Sequence, residues 1–200
     1  MKTLVIDYGS GNLRSAARAL VVAGFDVTVS DDPHQAEQAD LLVLPGQGHF
    51  AQVMRAFRAS GFEGAVREHV TRGRPFFGIC VGLQLLFEGS EEAPDVPGLG
   101  LVQGRVRRFQ AKKVPQMGWN RVFFSEDSPF FGLNGRFFYF VHSYYAPVVP
   151  VTDGLASYAE TPFSAGLRQG PLVATQFHPE KSSRAGLSFL TRLKRYFEDF

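Results

Sequence analysis

"PFFGICVGLQLLFEG", residues 75–89, holds the only cysteine of the chain, with a glycine two positions away on either side. A free cysteine is most often a small buried hydrophobe. Here it stands where the pattern changes. The run 75–79 is continuously apolar, as in a strand buried on both faces. After it, Val81, Leu85 and Leu86 recur at helical spacing, with Gly89 as a stop. A nucleophile between glycines at a strand-to-helix turn is the cysteine form of a nucleophile elbow. The turn is tight, so Gly78 and Gly82 let the neighbouring backbone pass closely. A helix starting at the sulfur would present free N–H groups to it and favour the thiolate.

The surroundings repeat that pattern. Residues 3–8, 26–30 and 40–45 are further short apolar runs, and helical stripes lie between them. Leu13, Ala16, Ala17, Leu20 and Val21 form one stripe, closed by Gly24. Phe50, Val53, Met54 and Phe57 form another. Alternating strands and helices imply right-handed crossovers and a parallel sheet covered on both faces. Past residue 100 the texture becomes strand-rich and hairpin-like, from "GRVRRF" through "LVATQFHPE", broken by Gly, Pro, Asn and Asp. A last amphipathic helix follows, with Ser182 or Ser183 as N-cap and Leu187, Leu190, Leu193 and Phe197 inward. The expected architecture is α/β and three-layered: a mostly parallel central sheet, helices on both faces, and an antiparallel extension in the second half. One domain spanning 1–200 is expected.

Composition sets outer limits. The 200 residues are 44% hydrophobic and 20% charged, a globular balance. Twenty phenylalanines require that many be internal. A net charge of +2 gives no global field for nucleic acid or anionic membrane. The opening "MKTLVIDYGSGN" is too short in its apolar run for a signal segment or a membrane span. One cysteine allows no internal disulfide, so the cytoplasm is the expected setting. There is no CxxC or HxxxH, and no metal or cofactor is expected. The basic stretch 105–113 reads as a solvated strand face, with a rim patch meeting an acidic partner as the alternative.

A cysteine nucleophile needs a base, and the base an orienting group. "QFHPEKS", 176–182, offers both. His178 precedes a proline, which favours extended backbone. In extended chain Glu180 would lie on the same side as His178 and accept its ring N–H. A polar loop closing the last strand is the plainer alternative. "LPGQGHF", 44–50, ends another parallel strand, where sites of open α/β sheets lie. Its turn could aim backbone N–H groups at a developing oxyanion. "YGSGN", 8–12, lacks the third glycine of a dinucleotide fingerprint and the lysine of a P-loop, and reads as a βα loop on the same edge.

PGxG at a strand end, the GICxGxQ elbow and a late FHPE together resemble the class I (triad) glutamine amidotransferases, across nearly the whole chain. The resemblance implies Cys80 as nucleophile, His178 as base and acid, and Glu180 as its orienting group. It implies oxyanion donors from Val81 and from Gly46, Gln47 and Gly48. Glutamine would lie over the elbow near Gln84, its backbone end held by Ser143 and Tyr144. Further stretches ("DYGSGNL", "VPQMGWN", "YFVHSYY" and "HPEKS") resemble one branch, the glutaminase subunits of imidazole glycerol phosphate synthases. Members of that branch pair with a (βα)8-barrel cyclase subunit, which uses the ammonia to make imidazole glycerol phosphate and an aminoimidazole carboxamide ribotide. By the same likeness Asn12, Trp119, Tyr139 and Lys181 would lie at the interface or tunnel. Gln47 departs from the valine usual in that branch. A glutaminase partner of pyridoxal phosphate synthase and a non-enzymatic flavodoxin-like interaction module are the competing readings.

Overall fold

The structure, a computed structural model, describes residues 1–9 and 12–200. Part of the "YGSGN" loop, Ser10 and Gly11, lies outside the described residues. The first half runs β1 (Lys2–Ile6), α1 (Leu13–Val22), β2 (Asp26–Ser30), a 3-10 turn at Pro33–Gln38, β3 (Leu41–Gly46), α2 (Phe50–Ala59), α3 (Phe62–Thr71) and β4 (Phe76–Cys80). Next come α4 (Val81–Gln84), β5 (Phe87–Ser90), β6 (Ala93–Pro97), β7 (Val102–Arg108), β8 (Gln116–Phe124), β9 (Arg136–His142) and β10 (Tyr144–Tyr145). The chain closes with β11 (Thr152–Tyr158), β12 (Thr161–Gln169), β13 (Leu172–Thr175), a 3-10 turn at Pro179–Lys181 and α5 (Ser183–Phe197).

The main sheet has nine strands in the order β2-β1-β3-β4-β13-β12-β11-β8-β9. It is parallel from β2 to β13 and antiparallel beyond, the antiparallel strands being the extension expected of the second half. The crossovers β1-α1-β2 and β3-α2-α3-β4 run in opposite directions across the sheet. Right-handed connection therefore puts α1 on one face and α2–α3 on the other, and α5 packs beside α1. β1, β3 and β4 are almost wholly buried, which is why their sequences read as unbroken apolar runs.

Four expectations change. The helix after Cys80 is a single turn, not a stripe reaching Leu86. The carbonyls of Leu85, Leu86 and Phe87 accept from Leu99 N, Leu101 N and Gly100 N at 2.7–3.0 Å, so from Leu85 onward the chain pairs with the 99–101 segment and not with a further helical turn. The chain turns there into a separate four-stranded sheet, β10-β7-β5-β6, which periodicity did not reveal. The "LVAT" strand pairs antiparallel with β12 but also parallel with β4, in the middle of the main sheet. Val21 and Leu187 are partly exposed rather than inward, at 55% and 39%. The inward side of α1 narrows to Ala16 and Leu20, and Leu187 lines a groove between α1 and α5. Phe189, Leu190, Leu193 and Phe197 carry the packing of α5.

Aromatic side chains fill the space between α5 and the antiparallel strands. Phe130 stacks on Phe189 with centroids 4.3 Å apart, and Phe138 packs on Phe177 at the same distance. Most of the phenylalanines are buried, there or elsewhere in the core. On β7, Arg107 and Arg108 face solvent, as a solvated strand face should.

Candidate active site

Three adjacent strands of the parallel part, β3, β4 and β13, end beside one another. Gly46 pairs with Cys80, and Thr175 pairs with Ile79. The motifs "PGQG", "GICVG" and "QFHPE" are far apart in sequence, yet they leave the sheet at one edge, outside the carboxyl ends of the strands.

Cys80 has φ 56° and ψ −109°, a conformation that only a tightly held turn imposes on a non-glycine residue. The turn is held by close packing. A Cβ at Gly82 would lie 2.0 Å from the Leu44 carbonyl oxygen, and one at Gly78 would lie 2.9 Å from the Gly82 oxygen. Glycine at both positions lets the elbow press onto β3. Tyr8 fixes the neighbouring loop by donating its hydroxyl to the Pro45 carbonyl at 2.8 Å. Gly48 has φ +107°, a left-handed value, and neither Gln47 N–H nor Gly48 N–H enters a loop hydrogen bond among the described residues.

His178 is buried and extended, at φ −96° and ψ 98°. Its Nδ1 lies 2.8 Å from Glu180 Oε1. The route differs from the expected alternation, since Glu180 sits in the 3-10 turn that follows Pro179. The other nitrogen, Nε2, is buried without a hydrogen-bond partner among the described residues. Burial opposes protonation of this ring. The neighbouring Cys80 sulfur and the Glu180 carboxylate outweigh it and push His178 up to about 10. The His178 backbone is tied down as well: its N–H donates to Tyr139 O, and Ser182 Oγ donates to its carbonyl at 2.6 Å. Ser182 also accepts from Tyr139 N, so it anchors the turn and does not cap α5.

A cavity of about 410 Å³ opens over this edge, lined by Gln47, Gly48, Cys80, Val81, Gln84, Ser143, Tyr144, His178 and Lys181 among others. Most of the expected site residues therefore meet. Gly46 lies just beneath, paired with Cys80. Glu180 stands behind His178 and lines the α1–α5 groove. Trp119 and Tyr139 do not line the cavity; they pair across β8 and β9 with rings edge-to-face at 6.1 Å, and Tyr139 meets His178 only through its main chain. Asn12 is half-buried at the start of α1.

Gln176, His142 and Glu92 belong to the same neighbourhood and were not foreseen. Gln176 Nε2 lies 3.7 Å from Cys80 Sγ. Its position two residues before His178 in extended chain was a usable signal. Burial, with the charge of His178 nearby, pushes His142 down to about 4, so its ring is neutral. It donates Nδ1–H to Tyr144 O at 2.8 Å, which leaves Nε2 as an acceptor 2.9 Å from the Gln116 side-chain amide, whose N–H end must face it. Glu92 reaches the cavity from the β5–β6 turn and accepts from Phe50 N at 2.7 Å. No sequence pattern announces that reach. No group of three or more His, Cys, Asp or Glu among the described residues is arranged to hold a metal ion.

A family model for class-I glutamine amidotransferases matches residues 4–194. The chain belongs to the class I glutamine amidotransferases. Among curated relatives in this family, the imidazole glycerol phosphate synthase subunit HisH of Thermus thermophilus is 63% identical over 198 residues, 99% of each chain. The HisH of Deinococcus radiodurans is 54% identical, covering 97% of this chain and 93% of its own. The imidazole glycerol phosphate synthase hisHF of Emericella nidulans is 42% identical over 93% of this chain but only 36% of its own length. A solved glutamine amidotransferase shares the fold with a TM-score of 0.75 at 23% identity, covering 98% of this chain and 97% of that one. The amidotransferase is thus an enzyme by family, which sets aside the interaction-module reading. Its HisH relatives favour the imidazole glycerol phosphate synthase branch over the pyridoxal phosphate one. Among the described residues no helix is long and apolar enough to cross a membrane.

Proposed function

We propose that this chain, a single amidotransferase unit over residues 1–200, is the glutaminase subunit of a cytoplasmic imidazole glycerol phosphate synthase. The observation that carries this is the full-length 63% identity to a HisH subunit, in a chain whose Cys80, His178 and Glu180 converge at one sheet edge. The reaction is acyl transfer to sulfur. Cys80 attacks the side-chain amide carbon of glutamine. The oxyanion is received by the N–H of Val81 and by the 46–48 peptides, of which Gln47 N–H and Gly48 N–H enter no loop hydrogen bond among the described residues. Protonated His178 gives its proton to the departing ammonia, and Glu180 holds the ring through Nδ1. Water, deprotonated by the same histidine, then cleaves the thioester to glutamate and frees the thiolate.

The α-amino and carboxylate ends of glutamine would meet groups at the cavity mouth. Glu92 is the carboxylate available to the ammonium, and Ser143, Tyr144 and Lys181 stand nearby. Gln84 has already committed its amide nitrogen to Tyr144 O and Gln176 Oε1, so it offers glutamine only its oxygen.

Ammonia is mostly protonated at neutral pH and useless as a nucleophile in that form. The enzyme therefore works when docked to a consumer. We assign that role to a separate (βα)8-barrel cyclase subunit, in line with the much longer hisHF relative, which covers both parts of a synthase in one name. The docking face is the outer side of β8–β9, where Met117, Trp119 and Phe137 are 65%, 52% and 47% exposed. Asn12 and Lys181 border the same edge as the cavity. The test is reconstitution with the cyclase subunit of the same organism and its nucleotide substrate. Glutamine should support cyclisation, and Cys80→Ser should abolish that while ammonium salts still support it. Glutamine-driven cyclisation surviving in Cys80→Ser removes Cys80 from its role.

A further inference from the structure

We propose that Gln176 holds the Cys80 sulfur in its thiolate form, through an amide N–H aimed there by a relay that starts at the Tyr144 carbonyl. This rests on the reading of Cys80 as the nucleophile.

The orientation of a buried side-chain amide is decided by what its neighbours can donate or accept. A main-chain carbonyl only accepts, so Gln84 must turn Nε2 toward Tyr144 O, 3.0 Å away. The second hydrogen of the same nitrogen reaches Gln176 Oε1, also at 3.0 Å. Gln176 has then spent its oxygen, and its Nε2 is the end that faces Cys80 Sγ at 3.7 Å. No step in this chain has a free choice of orientation.

An N–H facing sulfur discriminates between its two forms. A thiolate is a charged acceptor and gains strongly from the bond, whereas a neutral thiol accepts weakly. Hydrogen bonding to the charged form favours that form. Gln176 is 0% exposed and Gln84 only 3%, so water does not compete for the bond and the low dielectric strengthens it. Gln176 cannot itself titrate, and it leaves His178 free to move the proton. The sequence gives this task to a helix beginning at Cys80, but that helix is one turn long. A single turn has little dipole, and the amide relay supplies a directed donor in its place.

The test is the pH profile of Cys80 alkylation by iodoacetamide in the full chain. In that reaction the thiolate displaces iodide and forms a carbon–sulfur bond. In Gln176→Met, similar in length but without a donor, the midpoint of the profile should rise by about one unit or more. The limiting rate at high pH, where every molecule is thiolate, should stay near that of the parent. A merely structural role would lower stability or the limiting rate and leave the midpoint in place. Gln84→Met should move the midpoint in the same direction, because it frees the Gln176 amide to turn. A midpoint unmoved in Gln176→Met overturns the proposal. Should that variant fold poorly, the Gln84→Met midpoint decides it in the same way. Failure of the nucleophile reading shows separately, as glutaminase activity retained by Cys80→Ser.

Discussion

Gly82→Ala is the smallest change that tests how the elbow is built. The added Cβ would sit 2.0 Å from the Leu44 carbonyl oxygen, part of the β3 backbone. A tolerable carbon–oxygen contact begins near about 3.3 Å, so the turn must retreat from β3 by roughly 1.3 Å. The retreat has no cheap direction. Gly78 is packed against the Gly82 carbonyl from one side, and a Cβ at Gly46 would lie 2.8 Å from Gly82 N on the other. Moving the turn separates the sulfur and Val81 N–H from the 46–48 donors. A misplacement of about 1 Å costs on the order of 10²-fold in rate, and one lost oxyanion donor about 10²–10³. Turnover of the reconstituted complex should therefore fall at least about 100-fold. Overpacking of this kind costs roughly 1–3 kcal/mol, which at about 2–4 °C per kcal/mol lowers Tm by about 2–12 °C. Gly64→Ala in α3 is the control, since nothing lies within 4 Å of its added Cβ. It should gain about 0.4–1 kcal/mol and leave turnover alone. Both are read by a coupled glutamate assay and a thermal melt. Gly82→Ala turning over within threefold of the parent would refute the packing argument.

Three more expectations follow from the site and its edges. Glu180→Gln should slow hydrolysis less than His178→Asn, because the imidazole keeps part of its base function; equal losses would give Glu180 chemistry of its own. His178 is raised from 6.5 to about 10, so the stability it contributes is complete below 6.5 and is lost as pH rises through about 10. Thermal melts of the parent should thus fall more steeply between those pH values than melts of His178→Asn, and parallel curves would contradict the raised value. Trp119→Ala should weaken cyclase binding by about 2 kcal/mol, roughly thirtyfold in Kd, with little change in the melt of the free chain; titration calorimetry separates the two, and an unchanged Kd would move the docking face elsewhere.

What could be read from the sequence was decided by burial on both faces. β1, β3 and β4 are enclosed, so their apolar runs mark the strands to within a residue or two. α2 shows its face plainly, since Phe50, Val53, Met54 and Phe57 are all buried. The run after Cys80 misleads for the same reason. Leu83, Leu85, Leu86 and Phe87 are enclosed on every side, so their pattern carries no period to separate helix from strand. The convergence of Cys80, His178 and Glu180 was legible because their motifs are local. Gln176 and Glu92 were harder, since their roles depend on partners 60 to 96 positions away in the case of the amide relay and on a turn of the second sheet in the other. The central placement of β13 is likewise a tertiary fact, set by its pairing with β4.

That placement has a consequence for synthesis. β13 is the last strand made, yet it wedges between β4 and β12 and delivers Gln176 and His178 to the sulfur. A ribosome-bound chain that has exposed everything up to β12 carries the elbow and the PGQG turn with a gap where His178 belongs. Pairing across that gap joins residues 76–79 to 172–175, a long loop to close and a slow step. On the proposed mechanism the half-made chain is expected to be hydrolytically silent, and glutamine to be safe from it until the final strand has zipped home.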